Sequence, residues 1–150
     1  MGIKTVNVEK WIDAPPEVVF DAVHDAAQWP SWTRFDAYVC ERPGSPDPDG
    51  VGTIRNFHRG KAVSREEVVV SSAPEHFAYE LLSGLPLEGY RADVHFRPER
   101  GGTALQWRST FRPKVPGTGW IYRFALQRFI GQVVGDLATY AASRESNGTH

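Results

Sequence analysis

The sequence contains very little sulfur, with one cysteine and one methionine among 150 residues. A single cysteine, Cys40, excludes an intrachain disulfide framework and most zinc ribbons, because both need several thiolates. Its place beside Val39 in a predicted strand indicates a small hydrophobic residue of the core. The five histidines are scattered and form no HExxH motif, so we predict no metal site, and we expect no cofactor.

An excess of either charge is also absent. Lys and Arg total 17 against 18 Asp and Glu, which gives a formal net charge of −1. Proteins that bind the phosphates of nucleic acids usually carry a basic excess or a basic stripe. The balance therefore argues against nucleic acid as a partner.

Long hydrophobic runs are missing as well. The first 12 residues lack the apolar centre of a signal peptide. No apolar run reaches the roughly 20 residues that a transmembrane helix needs. We expect a cytoplasmic protein without integral membrane association. The length predicts a single domain over residues 1–145, followed by a frayed polar tail at residues 146–150.

Aromatic residues, in contrast, are plentiful at 12% of the chain, which is enough to line a cavity as well as to fill a core. Apolar periodicity predicts a first strand over residues 3–12, a short helix after Pro15 and Pro16, and a long helix from Trp120 to about Ser143. Turns rich in Gly, Pro and Asp separate six further strands, predicted at residues 35–40, 52–58, 64–71, 77–82, 90–96 and 103–111. This order predicts an α+β fold in which the long helix covers an antiparallel sheet and leaves a gap.

The period of 3.6 residues per turn assigns the inner face of the long helix. In its second half, five apolar residues fall on one side: Ile130, Val133, Val134, Leu137 and Ala141. The same phase, extended towards the helix start, places Arg123 and Gln127 on that side, with Trp120 and Gly131 beside them. Two interpretations stay open, since these polar groups either face a cavity or extend past its rim to water.

Two neighbouring strands carry charges that the alternation directs inward. Glu66 shares a face with Val68, whereas Glu67 lies on the other face, so a regular strand must turn one of them to the core. Arg55, in the strand before, is a natural partner for Glu66, because an unpaired buried charge is too costly. The alternative places both charges on a solvated face, and the choice between Glu66 and Glu67 stays open.

Six segments follow one another in a characteristic order: IDAPPEVVFDAV, WPSW, GVGTIR, REEVVV, YELLSGLPLEGYRADV and GGTALQW. Together with the final helix, they resemble the START-like (SRPBCC) superfamily, in its branch of polyketide cyclases/dehydrases and lipid-transport proteins. The resemblance covers roughly residues 3–142 and rests on the order of the segments. It implies a helix-grip fold, with a seven-stranded sheet curved around the C-terminal helix, two short helices after strand 1 and a hydrophobic cavity.

The resemblance implies a protein that binds a hydrophobic small molecule, such as a lipid, polyketide or aromatic metabolite, in this cavity. The alternative is a polyketide cyclase or dehydratase that uses acid–base residues of the same cavity, so whether the protein is an enzyme stays open. A third hypothesis is an interaction module whose cavity is collapsed and filled by Trp32, Trp107 and Trp120.

For a cyclase, the candidate catalytic residues are Glu66 as the base and Arg55 as a group that stabilises an oxyanion, with Arg123 and Tyr90 as alternatives for the second role. The resemblance also implies a pocket mouth at Ser83 to Pro86. The predicted ligand-binding residues are Trp32, Phe35, Arg55, Phe57, Glu66, Val68, Tyr79, Tyr90, Ala92, Trp107, Trp120, Arg123, Phe124 and Gln127.

Overall fold

Seven antiparallel strands form one sheet in the order β1-β7-β6-β5-β4-β3-β2. The computed structural model describes the backbone of residues 2–148 and the side chains of residues 2–144. The strands are β1 Lys4–Ile12, β2 Ala37–Arg42, β3 Ile54–Arg59, β4 Ala62–Ser72, β5 His76–Ser83, β6 Leu87–Glu99 and β7 Gly102–Pro113. The helices are α1 Pro16–His24, α2 Trp29–Trp32 and α3 Gly119–Gly148, with a 3₁₀ turn at Ala26–Gln28. These elements confirm the predicted helix-grip architecture.

Strict alternation along the long strands gives the sheet an apolar concave face and a polar convex face. In β6, the side chains of Tyr90, Ala92, Val94 and Phe96 are buried on the concave face. In β7, the buried side chains on the concave face are those of Leu105, Trp107 and Phe111. The intervening residues of β6 (Arg91, Asp93 and His95) point to the convex face and are partly or fully exposed. The sheet therefore buries one face only, as a covering helix requires.

The two short helices close one end of the sheet. Val19 and Val23 of α1 are fully buried in the common core. The indole Nε1 of Trp29, at the start of α2, donates to the carbonyl oxygens of Ala22 and Val23 at 3.1 Å each. These bonds fix Trp29 against the end of α1, where its ring becomes part of the site described below.

The second half of α3 packs as its periodicity predicts, with Ile130, Val133, Val134, Leu137 and Ala141 all buried. The first half is held differently. Arg123 Nε donates to the carbonyl oxygen of Thr5, and Gln127 Nε2 donates to that of Asn7, both at 3.1 Å. Because β1 is an edge strand, these carbonyl groups have no neighbouring strand. The helix start is thus fixed to the edge of β1.

One sequence-based expectation needs correction at an edge of the sheet. Cys40 is exposed, because β2 is the opposite edge strand and only Tyr38 within it packs against the core. The single domain over residues 1–145 and the frayed tail at residues 146–150 stay predictions; the backbone of α3 extends to Gly148, and residues 149–150 lie outside the described part of the chain. Among residues 2–148, no helix has both the length and the apolar character needed to span a membrane.

Gly131 and Gly135 lie inside α3 at positions where an added Cβ atom would meet no atom within 4 Å. Glycine inside a helix costs about 1 kcal/mol relative to alanine. We therefore expect Gly131→Ala and Gly135→Ala each to raise the free energy of unfolding by about 0.5–1 kcal/mol. Urea denaturation followed by tryptophan fluorescence measures this change.

Gly102→Ala is the matched control for this pair, because its Cβ would collide with the carbonyl oxygen of Ile12. This variant is expected to lose stability. A loss of stability in Gly131→Ala or Gly135→Ala would contradict the open space that the structure gives this face of α3.

Candidate functional site

A cavity of about 310 Å³ lies between the concave face of the sheet and α3. The sheet contributes Phe57, Tyr79, Tyr90 and Trp107 to its wall. The opposite wall is one row of α3, formed by Tyr122, Ala125, Leu126, Phe129, Ile130 and Val133. These residues recur at intervals of three and four positions, so they lie on a single face of α3, and this face forms the helical wall of the cavity.

Aromatic rings form much of the cavity wall. The ring of Trp29 stacks on that of Phe57 with centroids 4.6 Å apart, and Phe35 stacks on the same ring at 5.0 Å. Trp107 is fully buried, but Trp120 is 69% exposed. The hypothesis of a collapsed cavity filled by three tryptophans (Trp32, Trp107 and Trp120) is therefore wrong in one respect, because the exposed side chain of Trp120 does not fill the cavity.

One ion pair is buried beside the cavity. Arg55 donates to Glu66 Oε1 through Nε at 3.0 Å and through Nη2 at 2.5 Å. The third nitrogen of the guanidinium, Nη1, donates to the carbonyl oxygen of Val23 at 3.1 Å. This geometry confirms the predicted inward pair and identifies Glu66 as the inward glutamate. Glu67 lies on the outer face, with its Oε2 atom 3.4 Å from Arg42 Nη2.

The guanidinium of Arg55 is completely buried among aromatic rings. Its central carbon lies 4.9–5.7 Å from the ring centroids of four residues: Trp29, Phe57, Phe77 and Tyr79. The faces of these rings attract a cation. Arg55 is thereby held in one place by a carboxylate, a carbonyl group and the surrounding ring faces, and it positions Glu66 at the cavity wall.

Glu66 is the carboxylate on the cavity wall. Both hydrogen bonds from Arg55 end on Oε1, and no donor from the described side chains reaches Oε2. Burial raises the pKa of Glu66 above its ordinary value of 4.5, and the opposing effect of Arg55 is smaller. The second carboxylate oxygen is therefore available to a hydrogen-bond donor inside the cavity.

Two tyrosines and a tryptophan supply further polar groups to the same wall. Burial raises the pKa of Tyr90 to about 12 and that of Tyr79 well above its ordinary value. Both hydroxyl groups therefore stay protonated at neutral pH. The buried indole Nε1 of Trp107 has no acceptor among the side chains and backbone that the structure describes. Buried donors of this kind normally find a partner, which here would be a ligand or a water molecule.

The mouth of the cavity lies between two turns and the start of α3. Arg59, Ala62 and Val63 approach from the β3–β4 turn, and Gly84 and Leu85 from the β5–β6 loop. Gly84 has φ +124°, and an added Cβ would lie 2.6 Å from the carbonyl oxygen of Val63. Only glycine allows this loop to lie so close to β4.

The predicted ligand-binding residues fall into three groups in the structure. On the cavity wall lie Phe35, Phe57, Glu66, Tyr79, Tyr90 and Trp107. Buried behind that wall, without lining it, lie Trp32, Arg55, Val68 and Ala92. Exposed and turned away from it lie Trp120, Arg123, Phe124 and Gln127.

The exposed positions of this third group show that the predicted inner face is wrong for the first half of α3. Arg123 and Gln127 bind the edge of β1, and Phe124, next to Arg123 on the helix, is 63% exposed. The cavity is lined instead by the row that contains Tyr122 and Phe129. Its spacing is visible in the sequence, but apolar periodicity alone does not say which of two adjacent rows faces open space.

A family model described as polyketide cyclase/dehydrase and lipid transport matches residues 4–142 of the chain. No curated protein matches the sequence. Similar solved structures, in contrast, are numerous, with 246 matching chains.

Three of the solved structures are Ara h 8.0201, a norcoclaurine synthase point mutant from Thalictrum flavum in complex with a transition-state analogue, and the di-domain ARO/CYC StfQ from the steffimycin biosynthetic pathway. The match to Ara h 8.0201 has a TM-score of 0.76 at 17% identity and covers 95% of this chain and 99% of the other. For the synthase the TM-score is 0.75 at 11% identity, over 95% and 96%. For StfQ it is 0.77 at 16% identity, over 97% of this chain and 52% of that di-domain chain. At these identities, the similarities establish a shared fold.

Proposed function

The chain belongs to the polyketide cyclase/dehydrase and lipid-transport family, and on this premise we propose that it binds a hydrophobic small molecule between the sheet and α3. The proposal rests on one observation, an aromatic cavity with Glu66 on its wall, whose Oε2 atom accepts no hydrogen bond from the described side chains. Ligand sites are typically concave and mostly apolar, with a few polar groups that fix orientation. Glu66, Tyr79 and Tyr90 are such groups.

The size of the cavity narrows the class of ligand. A volume of about 310 Å³ lies at the lower end of the roughly 300–1,000 Å³ that is usual for ligand sites. This volume favours a compact ring system, such as an aromatic or polyketide-derived metabolite, over a lipid with two long chains. Because Glu66 Oε2 accepts hydrogen bonds, we propose that the ligand carries a hydroxyl group at its inner end.

A polyketide cyclase or dehydratase is the second candidate function. It is favoured by the raised pKa of Glu66, which suits a general base, and by two protonated tyrosines that can donate to a developing oxyanion. Similar folds include a synthase and an ARO/CYC protein. Turnover of a polyketide-like ketone that is lost in Glu66→Gln would favour this candidate, whereas binding without turnover favours the carrier. A cytoplasmic location and the absence of a nucleic-acid partner remain predictions from the composition.

Filling the cavity provides a direct test of the proposed site. Ala125 lies on the α3 wall of the cavity, so Ala125→Trp is expected to occupy the space of the ligand. We expect this variant to weaken binding of 2-naphthol, a two-ring phenol, at least about tenfold, which corresponds to a loss of about 1.4 kcal/mol. Isothermal titration calorimetry measures the affinity.

Thr139→Trp is the matched control, because Thr139 is an exposed residue of the same helix and lies outside the cavity wall. This variant is expected to bind 2-naphthol as the parent protein does. Equal affinities for the parent protein and Ala125→Trp would place the bound probe elsewhere and overturn the proposed site.

A further inference from the structure

Two histidines and an aspartate meet on the convex face of the sheet, on the side opposite to the cavity. His76 in β5 and His95 in β6 are direct cross-strand partners, and Asp93 lies two residues before His95 on the same face. One ligand atom from each of the three residues lies within 4.8 Å of the others. The sequence alone does not predict this cluster, because only the register of β5 and β6 brings His76 next to Asp93 and His95.

The contacts within the cluster already align the three side chains. His76 Nε2 and Asp93 Oδ1 are 2.7 Å apart, and the rings of His76 and His95 stack with centroids 4.2 Å apart. Arg91 donates to both carboxylate oxygens of Asp93, from Nε to Oδ2 at 3.1 Å and from Nη2 to Oδ1 at 3.2 Å. A hydrogen-bond donor to a ligating carboxylate is a common way to orient it, so Arg91 holds the carboxylate of Asp93 beside His76.

The set of two imidazoles and one carboxylate matches the chemistry of zinc. Zn²⁺ accepts nitrogen ligands at about 2.0–2.1 Å and carboxylate oxygen at about 2.0–2.2 Å, and sites with three protein ligands keep one position for water. Magnesium, in contrast, prefers oxygen ligands only. The ligand atoms must move closer together to share an ion, and the exposed ring of His95 has room for this movement.

We propose that His76, Asp93 and His95 bind one Zn²⁺ ion, which links β5 to β6 on the convex face and keeps a position open to water or to a fourth ligand. The proposal is independent of the ligand cavity, since it uses the outer face of the same strands. It differs from the expectation of no metal site, which rested on sequence spacing alone.

The charges around the cluster set the expected strength of binding. Arg91 contacts Asp93 directly, and Arg108 is the β7 partner of Asp93 in the strand register. On the other side of the site, Gln106 pairs with His95 in the register and contributes no charge. Two nearby guanidinium groups and only three protein ligands predict a micromolar rather than a nanomolar affinity.

The test is a titration of the full chain, without a histidine tag, with Zn²⁺ by isothermal titration calorimetry. We expect one Zn²⁺ per chain, no binding of Mg²⁺, and at least about tenfold weaker Zn²⁺ binding in His76→Ala, Asp93→Asn and His95→Ala. At a hundredfold excess of Zn²⁺ over the Kd of the parent protein, mass action predicts a rise in Tm of about 5–10 °C for the parent protein and, at tenfold weaker binding, about half that rise for His95→Ala.

Two variants control for other donors. His24→Ala removes a second His–Asp pair of the described residues, in which His24 Nε2 and Asp47 Oδ2 are 2.7 Å apart, and Cys40→Ser removes the exposed thiol. Both are expected to bind Zn²⁺ as the parent protein does. Unchanged binding in His95→Ala, an exposed position that tolerates truncation, would overturn the proposal, as would the absence of saturable binding or its loss in Cys40→Ser.

Discussion

Arg55→Ala is expected to lower the free energy of unfolding by about 3–5 kcal/mol, because it leaves the buried carboxylate of Glu66 without a cation. In the parent protein the carboxylate accepts two hydrogen bonds from the guanidinium. The substitution also removes the group that fills the space between four aromatic rings. Urea denaturation at neutral pH measures the loss.

Two controls separate the charge effect from the loss of packing. The double variant Arg55→Met with Glu66→Leu replaces both charges with apolar groups and should regain most of the lost stability, because no uncompensated charge remains. The stability deficit of Arg55→Ala should also shrink as the pH falls towards 4.5, the ordinary pKa of a glutamate. Burial raises the pKa of Glu66 in the folded state, so the folded protein takes up the proton more readily than the unfolded chain. A deficit below about 1 kcal/mol at neutral pH would contradict the buried pair.

Glu66→Gln is expected to weaken binding of 2-naphthol by about 10- to 100-fold. The reason is the loss of a hydrogen bond from the ligand hydroxyl to a charged acceptor, which contributes about 1.5–3 kcal/mol. Naphthalene has the same rings without the hydroxyl group, so its affinity should change little. Glu67→Gln is the matched control, because Glu67 is the next residue in the chain but lies on the outer face beside Arg42.

The pH dependence of 2-naphthol binding follows from the same contact. As the pH falls through the raised pKa of Glu66, the carboxylate takes up a proton and becomes a weaker acceptor. The affinity should therefore fall on acidification in the parent protein and stay level in Glu66→Gln. An equal pH profile in both proteins would show that Glu66 does not contact the hydroxyl group.

The sequence predicted the architecture because the strands alternate cleanly and the turns between them are rich in glycine and proline. In β6, for example, Tyr90, Ala92, Val94 and Phe96 all face inward as the alternation predicts. The pair Arg55–Glu66 was also within reach, since a buried charge requires a partner and the two strands are neighbours.

The face that the first half of α3 turns to the sheet could not be predicted from the apolar periodicity of the helix. Trp120 and Phe124 are large and apolar, yet they face water, while the polar Arg123 and Gln127 bind the edge of β1. This arrangement depends on the unpaired carbonyl groups of an edge strand. The periodicity of the helix contains no information about these groups, because they belong to another element. The convex histidine cluster was missed for a related reason, because only the β5–β6 register brings His76 next to His95.

A titration of the ¹⁵N-labelled protein with 2-naphthol, followed by amide chemical shifts, tests the central claim most directly. If the ligand enters the space between the sheet and α3, saturable shifts will appear at lining residues such as Tyr79, Leu126 and Phe129. Shifts confined to the exposed side of α3 around Trp120 and Phe124, or no saturable shifts at all, would contradict it.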